Sequence, residues 1–313
     1  MPKVYLAPLH GFTDLKYRTA HQTIFGSFDK AVAPFVTLVA GRKVKPSHLR
    51  ELDPQKNKMA VEPQVIGNEA DFFITMAQAL TDLGYPSVNW NLGCPIKAIA
   101  AKQRGSGLLA YPERVARFLD QVLPLTEIKL SIKMRLGYSQ AEESIQLIDV
   151  LNRYPLEYVV IHSRLGVQMY EGTVDLNALE VRKSMLKHKT IYNGDVFNVL
   201  DYQRIKTRFP WAEEVMIGRG ILANPFLASE LKGEEMSVDE KTQKFWDFME
   251  FLFREYQEED REEDNILHRM KQYWASLRVE GSEELFKKLK YVQTLQEYSY
   301  LCSSEKEKII FRK

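Results

Sequence analysis

The sequence predicts an α/β fold: a closed barrel of eight parallel β-strands that alternate with helices, followed by a small all-helical domain. Eight short apolar or β-branched runs recur between residues 4 and 217, and most precede apolar residues at helical spacing. Eight βα units within about 230 residues are typical of a (β/α)8, or TIM, barrel. No run approaches the roughly 18 apolar residues of a membrane span.

The predicted strands are short and rich in residues that favour β-structure. They are Val4–Ala7, Lys30–Val36, Ala60–Ile66, Ser87–Asn91, Ile128–Arg135, Tyr158–His162, Thr190–Asn193 and Glu214–Ile217. A doubly wound open sheet also alternates strands with helices, but it usually carries a Gly-rich fingerprint after its first strand. Pro8-Leu9-His10-Gly11 stands there instead, which favours the barrel.

Apolar residues at helical spacing predict helices both within the barrel and after it. Within the barrel this spacing predicts helices over 70–83, 113–123, 141–151, 176–186 and 199–209. After Leu231 comes a linker-like Gly233-Glu234-Glu235, and residues 239–301 contain no convincing strand. We therefore expect a catalytic barrel over residues 1–235 and a helical domain over residues 236–313.

Composition excludes several classes of protein. The 313 residues are 45% hydrophobic and 27% charged, which excludes a disordered or fibrous chain. Two cysteines provide neither a disulfide framework nor zinc-ligand spacing, and the N-terminal residues do not resemble a signal peptide, so we expect a cytoplasmic protein. The net charge of +1 gives no global indication of nucleic-acid binding.

Polar or glycine-containing segments stand at the ends of nearly all the predicted strands. In such a barrel these ends and the loops after them form one face, where active sites lie. Polar residues in apolar strands are costly unless they are paired. We therefore expect one site lined by 8–11, Gln64, 91–95, 133–135, 162–164, 193–195 and 218–220.

Two of these segments predict a phosphate site. Asn193-Gly194-Asp195 follows the seventh strand, and Gly218-Arg219-Gly220 follows the eighth. Barrel enzymes often bind phosphate with these two loops, because glycine lets backbone N–H groups approach and arginine adds a bidentate contact. Either tripeptide alone is typical of an ordinary turn, whereas both together favour phosphate binding.

Lys133 and Arg135 are two residues apart in one strand, so their side chains point the same way. Three roles are open for Lys133: a Schiff-base nucleophile as in an aldolase, a cation against an anionic ring, or a surface charge. Two inward cations suit an electron-rich cofactor. His162, at the end of the next strand, is either a satisfied core residue or part of the site.

Cys94 directly follows the fourth strand, beside a loop over 96–107 that is rich in Lys, Ala and Gly. A buried cysteine is most often inert packing, but a strand end next to such a loop is a poor place for packing. A thiolate nucleophile and a neutral thiol acting as a general acid both fit. We expect no role for Cys302.

Taken in order, these motifs resemble the tRNA-dihydrouridine synthases, flavin enzymes that reduce uridine in tRNA. The most specific element is Asn91-Leu92-Gly93-Cys94-Pro95, followed by Lys102 and Gly105-Ser106-Gly107-Leu108-Leu109. The resemblance covers essentially the whole chain. It implies an FMN-binding TIM barrel and a C-terminal helical domain that binds tRNA.

The resemblance also implies individual roles. Cys94 is expected to protonate C5 of the uracil while reduced FMN delivers hydride to C6, with NADPH as the reductant. The implied cofactor contacts are Pro8, Leu9, Gln64, Lys133, His162, Asn193, Asp195, Gly218 and Arg219. The implied uracil contacts are Asn91, Arg135 and Tyr170.

The segment His268–Trp274 is similar to the C-type branch of that family, which modifies position 16 in the D-loop of tRNA. Basic residues are frequent between 269 and 290, and we expect Arg269, Lys271 and Arg278 to contact tRNA. A mixed-charge helix surface is the alternative interpretation. We further expect a monomer without a metal or a membrane partner.

Two other functions remain open. An FMN-dependent barrel oxidoreductase of a small molecule, resembling dihydroorotate dehydrogenase, explains Lys133, Asn193 and Arg219 but leaves the basic helical domain unused. A non-catalytic RNA-binding relative explains that domain, but Cys94 and the implied flavin contacts argue against it.

Overall fold

Nine short parallel strands form the centre of the computed structural model, which describes residues 1–37, 44, 49–259 and 262–311. They are β1 Lys3–Leu6, β2 Lys30–Val32, β3 Val61–Glu62, β4 Gln64–Val65, β5 Ser87–Leu92, β6 Lys129–Gly137, β7 Leu156–Leu165, β8 Thr190–Asn193 and β9 Glu214–Ile217. Their order in the sheet is β3-β2-β1-β9-β8-β7-β6-β5-β4.

The two edges of this sheet, β3 and β4, are halves of one predicted strand. β3 pairs with β2, and β4 pairs with β5. Pro63, which has no N–H to donate, separates them, and its carbonyl accepts a hydrogen bond from the Asn89 N–H at 2.8 Å. A bridge between Val36 and Val65 lies at the same seam. The predicted (β/α)8 barrel is therefore confirmed, with its third strand in two pieces.

The five predicted barrel helices are confirmed to within two residues at each end. The barrel helices that the structure describes are α1 Leu15–Ile24, α2 Ala70–Asp82, α3 Lys97–Ala100, α4 Pro112–Val122, α5 Glu143–Leu151, α6 Leu176–Met185, α7 Val199–Arg208, α8 Arg219–Ala223 and α9 Leu227–Leu231. Asp14, Asp175 and Asn198 cap α1, α6 and α7 by accepting hydrogen bonds from first-turn N–H groups. After β2, the described helical element is a 3-10 turn at Arg50–Leu52.

In the described part of the chain, four further helices follow the barrel: α10 Val238–Glu259, α11 Glu263–Ser276, α12 Ser282–Leu289 and α13 Leu295–Ser304. Two of them, α10 and α11, dock on α1 and on the loop after β1. Tyr256 donates a hydrogen bond to Asp14 Oδ2 at 2.7 Å, and Tyr273 donates one to the Phe12 carbonyl at 2.6 Å. Across the described residues, no helix has the length and apolar character needed to cross a membrane.

The inside of the barrel is divided into an apolar and a polar half. The apolar half is a cluster of Tyr5, Ala7, Val32, Tyr158, Val160, Ile191 and Met216. The polar half comes from β3 to β6 and contains Glu62, Gln64, Asn89, Asn91 and Ser131, all buried. Buried polar groups are costly without partners, so this half requires internal hydrogen bonds.

Candidate active site

A cavity of about 450 Å³ lies at the carboxyl ends of the barrel strands, within the size range of small-molecule sites. It brings together residues that are far apart in the sequence. The predicted site residues that line it are Pro8, Leu9, Asn91, Cys94, Lys133, Arg135, His162, Tyr170, Asn193, Asp195, Gly218 and Arg219. Gln64 lies fully buried behind this lining, with its Oε1 accepting from Asn91 Nδ2 at 2.7 Å.

A tight turn holds Cys94 at the wall of the cavity. Asn91 Oδ1 accepts hydrogen bonds from the backbone N–H groups of Gly93 and Cys94, at 2.9 and 2.8 Å. The Arg135 Nε donates to the Gly93 carbonyl at 3.1 Å. An asparagine at a strand end bonds its own following backbone in this way, so Asn91 sets the direction in which Cys94 leaves the strand.

The loop after Cys94 is packed back onto it. Both the N–H and the hydroxyl of Ser106 donate to the Cys94 carbonyl, at 3.0 and 2.8 Å. Gly105 has a φ of +57°, and a Cβ there would lie 2.8 Å from the Cys94 Cβ. Only glycine allows both this conformation and this approach, which explains Gly105 of the sequence motif.

Burial raises the pKa of the Cys94 thiol, although the Ile96 backbone, Arg135 and Lys133 lower it in part. The thiol is therefore protonated at neutral pH. A protonated thiol fits a general acid better than it fits a thiolate nucleophile. The environment of the side chain therefore favours the general-acid role over the thiolate-nucleophile role, both of which the sequence left open.

Lys133 is largely buried, and burial together with Arg135 lowers its pKa to about 7. Throughout the described ranges, its ammonium has no hydrogen-bond or carboxylate partner. The pKa of His162 is also lowered well below its usual value, by burial and then by Lys133, so this imidazole is neutral. An unpaired cation at a cavity wall is costly and is suited to an anionic ligand.

Asp195 bridges two arginines at the same face. Its carboxylate accepts from Arg164 at 2.5 and 2.8 Å and from Arg219 at 2.8 Å. The Arg219 guanidinium lies 5.0 Å from the ring centroid of Tyr170, and that of Arg135 lies 5.4 Å from the same ring. Such cation–π contacts orient both arginines.

The two glycine loops predicted to bind phosphate meet at the cavity. A Cβ on Gly220 would lie 2.0 Å from the Val196 carbonyl oxygen, so the loops after β8 and β9 are in backbone contact. Arg219, from the second of these loops, lines the cavity. With Lys133 and Arg135 it gives three cations against Asp195, and this excess positive charge favours an anionic ligand.

Comparison with known proteins identifies the family of this chain. The model of the dihydrouridine synthase family matches residues 5–310. The chain belongs to the dihydrouridine synthase family. A probable tRNA-dihydrouridine synthase from Rhizobium leguminosarum is 31% identical over 74% of this chain and 72% of that protein. The tRNA-dihydrouridine(16) synthase of Neisseria meningitidis is 26% identical over 97% of this chain and 95% of its own.

Solved structures share the fold at low sequence identity. The old yellow enzyme homologue from Zymomonas mobilis matches with a TM-score of 0.56 and 9% identity, over 76% of this chain and 92% of that chain. Morphinone reductase matches with a TM-score of 0.51 and 11% identity, over 75% and 88%. At this identity the likeness supports the barrel alone.

The basic residues predicted to contact tRNA have different surroundings in this dihydrouridine synthase family member. Arg269 donates to the Gly11 carbonyl and helps to dock the helical domain on the barrel. Lys271 Nζ donates to the Val292 carbonyl at 2.6 Å, within the helical domain. Arg278 is exposed and lines a second cavity, of about 900 Å³, that adjoins the first at Arg219.

The cavity lining also includes residues outside the predicted site segments, among them Phe35, Phe197 and Ser276. Ser276 ends α11, so the helical domain contributes directly to the site. The two phenylalanines lie outside the polar strand-end motifs and carry no reactive group, so no chemical signal in the sequence identifies them. Within the described ranges, no group of three or more His, Cys, Asp and Glu side chains is placed to hold a metal ion.

Proposed function

We propose that this protein is a flavin-dependent tRNA-dihydrouridine synthase that uses FMN and takes its electrons from NADPH. The observation that carries the proposal is the pairing in one cavity of Cys94, a thiol kept protonated, with Lys133, whose amine has no partner among the described residues. Reduction of uracil requires a hydride and a proton, and the cavity offers a proton donor beside a site for an anionic ring. Family membership supports the same reaction.

The residues of the cavity fit FMN. Arg219, Gly218 and Asn193 would hold the phosphate and ribityl end, where the two glycine loops meet. Lys133 would hold the ring and stabilise negative charge on it. When bound, reduced FMN supplies the hydride that adds to C6 of the uracil.

The remaining side chains handle the substrate base. Cys94 Sγ holds the proton that C5 takes up. Arg135 donates hydrogen bonds from Nε to the Gly93 carbonyl and from Nη1 to the Leu165 carbonyl. These bonds fix its guanidinium beside Cys94, and its Nη2 would donate to a uracil oxygen. Tyr170, exposed at the cavity rim, provides a ring on which the base can stack.

The tRNA approaches from the face that carries the exposed lysines of the Cys94 loop and the second cavity. Lys97 and Lys102 are exposed on that loop, and Arg278 lines the second cavity. The target uridine must leave its stack to enter, at a cost of a few kcal/mol that phosphate contacts offset.

Position 16 of the D-loop is the site of reduction that we propose. The relative named a tRNA-dihydrouridine(16) synthase aligns over nearly the whole chain, including the helical domain. A transcript with cytidine in place of uridine at position 16 should not gain dihydrouridine. Substitution at another D-loop uridine should leave the product unchanged. The reverse pattern would assign a different position.

Charge reversal at Lys97 and Lys102 together is expected to weaken tRNA binding. If each lysine meets one phosphate, the slope of log affinity against log salt should fall by about 2, while NADPH oxidation by the bound flavin stays unchanged. The control reverses Lys3 and Lys129, which are also exposed and lie at the opposite end of the barrel, where they pair with Glu214 and Glu157. Equal losses in both double variants would mean that binding follows net charge alone.

An anaerobic experiment separates this function from reduction of a small molecule. Enzyme-bound flavin is first reduced with one equivalent of NADPH, and its absorbance is then followed on mixing with unmodified tRNA or with orotate. Reoxidation by tRNA alone supports the proposal. Reoxidation by orotate alone, with tRNA inert, would replace it with a small-molecule oxidoreductase.

A further inference from the structure

A continuous line of buried hydrogen bonds runs from the Cys94 turn into the barrel. Each of its four side-chain hydrogen bonds is 2.7 Å long: Asn91 Nδ2 to Gln64 Oε1, Gln64 Nε2 to Asn89 Oδ1, Asn89 Nδ2 to Ser131 Oγ, and Ser131 Oγ to Glu62 Oε1. All five side chains are 7% exposed or less. We call this set the amide relay.

The register of the parallel strands produces the relay. Gln64 stands opposite Asn89 on the neighbouring strand, and Asn89 stands opposite Ser131 on the next. Glu62 and Asn91 lie two residues from Gln64 and Asn89, so they share the inner face. Five polar side chains therefore occupy adjacent positions inside the barrel.

The groups at the two ends of the amide relay require the same direction of hydrogen-bond donation along it. At one end, the N–H groups of Gly93 and Cys94 can only donate, so Asn91 Oδ1 must face them. At the other end, the Glu62 carboxylate can only accept, so the Ser131 hydroxyl must donate to it. Each amide between these ends has one orientation that satisfies both neighbours.

Glu62 is held as an acceptor by further donors. Lys30 Nζ lies 2.5 Å from Glu62 Oε2, and the Tyr158 hydroxyl donates to the same oxygen. Burial, and then Glu62, raise the pKa of Tyr158 far above its usual value, so this hydroxyl keeps its proton. These donors bind Oε2, which leaves Oε1 for Ser131.

We propose that Glu62 is a positioning residue of the active site, which acts through the amide relay to hold the Gly93–Cys94 turn and the Gln64 amide in one orientation. The relay itself is independent of the reaction, whereas its consequence for uridine reduction rests on the proposed function. Glu62 touches neither the cavity nor Cys94, and its effect reaches them through Ser131, Asn89 and Asn91.

The test compares two substitutions that both remove the charge. Glu62→Gln keeps an oxygen that can accept from Ser131, and its Nε2 can donate to the Tyr158 hydroxyl while partly exposed Lys30 turns to solvent. Glu62→Met has no oxygen to accept from Ser131. In full-length protein without flavin, hydrogen exchange of the Gly93 and Cys94 amides should accelerate about tenfold in Glu62→Met, the factor that matches one hydrogen bond. Glu62→Gln should stay within about twofold of wild type.

Two more variants complete the test. Ser131→Ala cuts the relay but leaves Glu62 with Lys30 and Tyr158, and it should reproduce the exchange of Glu62→Met; it also carries the test if Glu62→Met fails to fold. Glu214→Met is the matched control, because Glu214 accepts from Tyr5 and Lys189 outside the relay. It should leave exchange at the Cys94 turn unchanged.

Two results of these exchange measurements would overturn the proposal. Wild-type exchange in Ser131→Ala would overturn it, because the turn would then hold without the relay. Equal acceleration in Glu62→Gln and Glu62→Met would also overturn it, in favour of the ion pair with Lys30. FMN affinity, measured by fluorescence, should fall only in the variants that accelerate exchange. Because exchange is read in flavin-free protein, failure of the tRNA assay leaves this result intact.

Discussion

Cys94→Ala is expected to bind flavin as wild type does and to reduce uridine roughly 10²- to 10⁴-fold more slowly, the range for loss of a general acid. The side chain holds the proton for C5, while the cations that would hold the cofactor are on other strands. Rates are measured in single turnover with pre-reduced enzyme, so that reduction by NADPH does not limit them.

The matched control for this variant is Cys302→Ala. Cys302 is partly buried in α13, outside the cavity residues, and its removal should leave the rate within twofold. Loss of bound flavin in Cys94→Ala would instead make Cys94 structural. Undiminished uridine reduction would assign the proton to another donor.

Lys133→Met is expected to stabilise the flavin-free protein by roughly 2–4 kcal/mol at pH 7. The pKa of Lys133 falls from 10.5, its ordinary value, to about 7 in the folded chain. Between about pH 7 and pH 10, Lys133 is protonated in the unfolded chain and neutral in the folded chain, so its contribution makes the free energy of unfolding rise with pH. Below pH 7 the side chain is charged in both states, and its destabilising effect is at its largest. In the methionine variant this contribution to the slope should vanish.

The same variant should bind flavin less tightly, by roughly 10- to 100-fold, the worth of one hydrogen bond to a charged group. Lys129→Met is the matched control, because Lys129 lies on the same strand but is exposed at the opposite end. Denaturant unfolding and flavin fluorescence give the two quantities separately. If Lys133→Met destabilises the flavin-free protein, Lys133 is a packing residue; if flavin affinity is unchanged, it has no cofactor role.

The barrel and most of its site were predictable because their signals are local. Strand alternation places Lys133 and Arg135 on one face, and barrel geometry gathers the strand ends. The division of the barrel interior was not predictable in the same way. Glu62 and Ser131 are buried polar residues whose partners are 69 residues apart in sequence, and only the strand register brings them together.

The surroundings of the basic helical residues were beyond sequence reasoning for the same reason. Charge and spacing identify Arg269 as a cation on a helix, but its hydrogen-bond partner is the Gly11 carbonyl, 258 residues away. Two aromatic residues from the same segment, Tyr273 and Trp274, are buried in the packing of the domain. Docking between elements is non-local, so a helical charge pattern alone does not separate an RNA contact from an internal one.

The most direct measurement is the mass of nucleosides released from tRNA that lacks dihydrouridine, after incubation with this protein, FMN and NADPH. We expect a gain of two hydrogens on uridine at one D-loop position, lost with Cys94→Ala and retained with Cys302→Ala. Unchanged uridine in the presence of bound flavin and continuing NADPH oxidation would contradict this expectation.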